Sequence, residues 1–105
     1  MSKKDTGAQI AFFHLFGTLL SSGVSLKSSL ELIAEADFPK ELQEFAKSCN
    51  TAITEGKSIT KVPEVEEFEP WIVAMLKSGE LGGALDKICI RIAECLEKFE
   101  LYMND

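Results

Sequence analysis

The chain has 105 residues, of which 46% are hydrophobic and 27% charged, too apolar a balance for disorder and enough for one small domain or one unit of something larger. Its 11 basic and 17 acidic residues leave a formal net charge of −6, which argues against a nucleic-acid backbone or an anionic membrane surface as the main partner. Residues 1–61 carry 7 basic and 7 acidic groups, whereas residues 62–105 carry 4 and 10, so the whole excess lies in the second half.

The apolar residues recur at helical spacing along the chain, and no stretch alternates long enough to make a strand. Residues 1–9 read as a flexible N-terminal segment, and residues 10–105 as one domain. A first helix is predicted over about Ala8 to Ser22, with Phe12, Phe13, Phe16, Leu19 and Leu20 as its apolar face. It sits inside a 21-residue run, Thr6–Leu26, that has no Asp, Glu, Lys or Arg and follows Lys3-Lys4, so it imitates a signal peptide or a spanning helix. Gln9, His14, Gly17 and several serines are costly in hydrocarbon, and the apolar centre is too short for a bilayer. The run therefore reads as a helix buried on most sides.

Gly23 is a plausible helix stop, and Ser25 caps a second helix over about Leu26 to Ala36. Asp37-Phe38-Pro39 breaks the pattern, with Asp37 as a cap and Pro39 in a first turn. The third helix, about Pro39 to Glu55, has the cleanest face: Leu42, Phe45, Ala46, Cys49, Ala52 and Ile53. Gly56 ends it. A short fourth helix is expected over Ile59 to Val62, then an acidic loop over residues 63–69. The fifth helix begins near Pro70, with Phe68, Trp71, Ile72, Met75 and Leu76 on one face. Gly79, Gly82 and Gly83 mark a tight turn. The last helix runs from about Ala84 to Met103, roughly 30 Å at about 1.5 Å per residue. Its seam, Leu85, Ile88, Ile92, Cys95, Phe99 and Tyr102, steps alternately by three and four. None of these helices is stable alone, so the fold class is all-α: a compact antiparallel bundle of about six helices.

Catalytic constellations are sparse. His14 is the single histidine, and within an apolar helix it reads as a satisfied core or interface residue. The three cysteines, Cys49, Cys89 and Cys95, form no C-x-x-C pair and leave at least one thiol free, which suits a reducing compartment. The glycine turn lacks the GK[ST] of a phosphate-binding loop. Carboxylates are plentiful: Glu80 and Asp86 flank that turn, and Glu64, Glu66, Glu67 and Glu69 precede the fifth helix. They read as a solvated acidic surface. Glu80 and Asp86 are also candidate ligands for a hard cation such as calcium, although no EF-hand spacing is present. No enzymatic activity and no cofactor is expected.

Four segments resemble the type II secretion F domain, found in inner-membrane platform proteins of type II secretion and type IV pilus machines. They are F-F-x-x-x-x-x-L-L-x-x-G-V with the following L-x-x-x-L-E-L, spanning Phe12–Leu32; A-I-T-E-G-K-S-I, Ala52–Ile59; M-L-K-S-G-E-L-G-G-A-L-D, Met75–Asp86; and the tail from Ile90 to Glu97. The third is the most characteristic. Where the family often carries Arg-Gln after the first aromatic pair, this chain has His14 and Leu15, so no role of those polar residues carries over.

The resemblance implies a six-helix cytoplasmic domain, cut from a longer membrane protein, at the cytoplasmic face of the bacterial inner membrane. It implies a non-enzymatic scaffold that couples the assembly ATPase and other inner-membrane proteins to pilin or pseudopilin assembly, and that self-associates as a homodimer. Within that picture Gly79, Glu80, Gly82, Gly83 and Leu85 form a structural motif. Gly79 and Gly83 let the last two helices approach, and Glu80 lies near the N-terminus of the last helix. Glu64, Glu66, Glu67 and Glu69 are expected to dock a partner, and Phe12, Phe16, Ile92 and Phe99 to mediate self-association. The competing reading is a self-associating regulatory bundle unrelated to secretion, paired through the seam of the last helix.

Overall fold

A computed structural model describes residues 5–103, with side chains through Leu101. The elements are α1 (Thr6–Ser21), α2 (Leu26–Ala34), α3 (Lys40–Thr54), two short 3₁₀ turns (Ile59–Lys61 and Pro63–Glu67), α4 (Pro70–Gly82) and α5 (Leu85–Met103). The all-α expectation holds, with five α-helices rather than six. The expected fourth helix is a single 3₁₀ turn, and the expected acidic loop contains the other.

Helix ends follow local chemistry. α1 starts at Thr6 because the Asp5 carboxylate accepts a hydrogen bond from the Ala8 N–H at 3.0 Å. Residues 6–9, expected to be flexible, thus belong to the helix, while residues 1–4 lie outside the described residues. α1 closes at Gly23, whose φ of +94° lets Gly23 N–H reach Leu20 O and Val24 N–H reach Leu19 O, both at 3.0 Å. Ser25 caps α2 through the Ser28 N–H, as expected. Asp37 does not cap α3. Pro39 occupies the cap position and no side chain bonds there. Instead Gln43 Nε2 donates to Ala36 O at 2.8 Å and ties the α2–α3 connection down.

The core is aromatic. Phe12, Phe13, Phe16 and Phe45 are fully or almost fully buried, and Phe68 joins them from the chain just before α4. Phe12 meets Phe13, Phe16, Phe38 and Phe45 at centroid distances of 5.2–6.1 Å, and Phe45 meets Phe68 edge-on at 4.8 Å. Ala11, His14, Thr18 and Ser21 form the exposed stripe of α1. His14 is therefore a surface residue, which removes the core half of its core-or-interface reading.

α1 packs most extensively on α5, α2 on α3, and α4 on α5, while α3 carries both 3₁₀ turns. α4 and α5 run antiparallel: Trp71 at the start of α4 meets Phe99 near the end of α5, and Gly79 meets Ile88. The α1–α5 seam depends on Gly17, which the sequence marked only as unfavourable in a bilayer. A methyl group at Gly17 would lie 2.8 Å from Ile90 Cδ1 and 3.0 Å from the Asp86 carbonyl oxygen. Among the described residues, no helix is long and apolar enough to cross a membrane.

Candidate functional site

The glycine–glutamate segment at the end of α4 is where separate parts of the chain meet. Gly79 is buried against α5: an added methyl would lie 2.8 Å from Ile88 Cγ1, 2.9 Å from Ile88 Cβ and 3.2 Å from Leu85 Cα. Gly79 thus permits the close approach that the sequence suggests. Gly83 does something else. A methyl there would meet nothing within 4 Å, and its role is the φ of +70° that ends α4. Gly82 is exposed with open space around it, and nothing in the structure explains a glycine there.

Glu80 is displaced from its expected role. It does not serve the N-terminus of the last helix, where Asp86 is the acidic residue of the first turn. Both of its oxygens reach back 21–22 residues to the first 3₁₀ turn: Ser58 Oγ donates to Oε1 at 2.6 Å and the Ile59 N–H donates to Oε2 at 2.9 Å. Ser58 Oγ in turn accepts from the Thr60 N–H at 3.0 Å. The carboxylate therefore caps a turn that has too few residues to satisfy its own amides. The G-K-S-I segment after α3 and the G-E segment of α4 are two halves of one joint.

A second carboxylate joins the neighbouring turn to α3. Ser48 Oγ donates to Glu64 Oε2 at 2.9 Å, while Glu64 Oε1 is buried with no hydrogen-bond partner among the described residues. Of the four expected docking residues, Glu64 is thus partly committed to the fold, whereas Glu66, Glu67 and Glu69 are exposed. These three form an acidic ridge from the second 3₁₀ turn to the start of α4.

Buried thiols lie beneath the joint. Cys49 Sγ is 3.9 Å from the Ile59 carbonyl, and burial first, then the charges of Glu64 and Glu80, push the thiol well above its ordinary range. Burial, followed by Asp86, pushes Cys89 up to about 12. Both are inert at neutral pH. Among the described residues, no three His, Cys, Asp or Glu side chains come together to hold a metal, and the two Glu80 oxygens are already hydrogen-bonded.

The self-association candidates divide. Phe12, Phe16 and Ile92 have zero exposure and belong to the core, so they offer no surface to a second copy, which corrects that expectation. Phe99 is 50% exposed and stacks edge-on against Trp71 at 5.5 Å. The side chains of Tyr102 and Met103 lie outside the described residues. Leu32, Leu81 and Leu101 are exposed but lie off the helical stripes that sequence periodicity selects. The long-range bonds of Ser48 and Ser58 also escaped the sequence reading, because a serine's partner many residues away has no local signature.

The family model for the type II secretion system protein F matches residues 12–102. The "Protein transport protein HofC homolog" of Escherichia coli (strain K12) is 33% identical over 91 residues, covering 85% of this chain and 22% of that protein. The "Type IV pilus assembly protein PilC" of Myxococcus xanthus (strain DK1622) is 30% identical over 84 residues, covering 79% of this chain and 20% of that protein. The chain thus spans about a fifth of the length of these two relatives. The matched region runs from the aromatic face of α1 through the Ser58–Glu80 joint to the end of α5, and the chain belongs to the type II secretion system protein F family.

Proposed function

We propose that this chain is a non-enzymatic scaffold domain of an inner-membrane platform protein, lying at the cytoplasmic face of the membrane in a secretion or pilus-assembly machine. It couples the assembly ATPase to pilin or pseudopilin assembly through protein–protein contacts. The family match over nearly the whole bundle carries this reading. The surface chemistry supports it: Glu66, Glu67 and Glu69 make an exposed ridge beside a rigid joint, suited to a basic patch on a partner.

The test is retention of the assembly ATPase by this domain. Reversing Glu66 and Glu69 to Lys should weaken retention at least tenfold, more so at low salt, with an unchanged melting curve. Retention equal to that of the parent would overturn the ridge as the docking surface. Half-exposed Phe99 supports a second reading, a homodimer, for which sedimentation at rising concentration is the measurement. A strict monomer would remove it.

A further inference from the structure

We infer that the outer groove between α4 and α5 docks an amphipathic helix of a protein partner, one with acidic residues along its flank. Two contacts lay out the groove: Gly79 against Ile88 at one end and Trp71 against Phe99 at the other. The core lies to one side of these contacts, where Ile72, Leu76, Ile92 and Leu96 are buried. On the other side, helical spacing places Met75, Ser78 and Gly82 from α4 and Arg91, Cys95 and Lys98 from α5. These residues are half-buried or exposed, and no described element lies over them.

The floor of the groove is apolar. Trp71, Met75 and Cys95 are half-buried, and Phe99 is 50% exposed. Aromatic rings give an incoming helix large, rigid anchoring surfaces, and a methionine adapts its shape to what packs on it. An apolar helix face laid into such a floor is a recurrent mode of peptide recognition. On the α4 rim Ser78 and Gly82 are exposed and short, so no long side chain holds the partner's backbone away there.

The α5 rim decides the charge of the partner. Residues 62–105 hold 4 basic groups, and three of them, Lys87, Arg91 and Lys98, follow one another along this rim at spacings of four and seven. Arg91 faces Glu94 at 3.9 Å in a long, exposed pair, whereas Lys87 and Lys98 make no ion pair with a described residue. Carboxylates along the flank of the docked helix complement this row. A face-to-face pair of copies would bring two basic rows into one interface, so a different protein is the better complement. The groove is opposite in sign to the ridge of Glu66 and Glu69, and it adds a second docking surface that does not depend on that ridge.

The test titrates the 105-residue chain with a synthetic, tryptophan-free helical peptide of about 18 residues, carrying leucines on one face and glutamates on its flank. A counterpart peptide has lysine in place of each glutamate. Trp71 is the single tryptophan, so its emission reads the groove directly. The acidic peptide should shift that emission to the blue and slow the labelling of Cys95, binding ~10-fold more tightly than the basic one at low salt. The net charge of −6 acting alone would give the reverse order. Lys87→Glu combined with Lys98→Glu should abolish the preference without changing the melting curve. Equal or tighter binding of the basic peptide, a preference that survives both substitutions, or Cys95 labelling that the peptide leaves unchanged overturns the inference. A blue shift on concentrating the chain alone would make a second copy the occupant, and also overturns it. Because no ATPase enters the measurement, its failure leaves the platform reading standing, and failed ATPase retention leaves the groove result standing.

Discussion

The α1–α5 seam and the segment between α3 and α4 are held by opposite means. The seam is steric and apolar: Gly17 brings a helix backbone against Ile90 and the Asp86 carbonyl, beside a core of interlocked phenyl rings. The connecting segment is short and irregular, and two carboxylates hold it through serine hydroxyls and one backbone amide. Continuous apolar faces make the first region cooperative. The second depends on a few directional bonds, so single-atom changes act there without emptying the core.

Truncation in the aromatic core beside the seam should have the largest effect. Phe12→Ala removes a ring that touches four others and should cost about 3–5 kcal/mol in chemical denaturation. A loss below about 1 kcal/mol would mean that the ring cluster repacks. Gly79→Ala comes next, at about 1–3 kcal/mol from overpacking against Ile88 Cβ. Ile88→Ala should relieve part of that cost, so the double variant should be less destabilised than the sum of the singles. Glu80→Ala should cost about 1–3 kcal/mol by orphaning Ser58 and the Ile59 amide, with faster hydrogen exchange at Ile59 and Thr60 than in α5. Uniform acceleration across the bundle would show that the two regions unfold as one. The gentlest probe is thiol labelling: half-buried Cys95 should react first, with Cys49 and Cys89 reacting only as the protein opens.

The same contrast explains what was legible in the sequence. Helices with a repeating apolar face, α3 and α5 above all, announce themselves through spacing, and the G-E-L-G-G segment was visible as a motif. The joint was not. Glu80 lies next to the glycine turn in sequence, so proximity suggested service to the following helix, while its partners Ser58 and Ile59 lie behind a loop and a whole helix. The core reading of His14 fails because an uncharged stretch looks buried throughout, whereas α1 keeps a stripe of small and polar residues in solvent. Phe12, Phe16 and Ile92 were offered to a second copy because an apolar stripe alone does not say which neighbour covers it.

The pairing of α1 with α5 also shapes how the domain is made. The first helix finds its main partner in the last one, some 70 residues further along the chain. During synthesis Phe12 and Phe13 can meet Phe38, Phe45 and Phe68 first, while the Gly17 side of α1 waits uncovered until α5 has left the ribosome. Local helix pairs form early, but the closing contact carries a long loop and its entropy. Until that contact forms, the nascent domain exposes an apolar side of α1, and its fate depends on how quickly the final helix arrives.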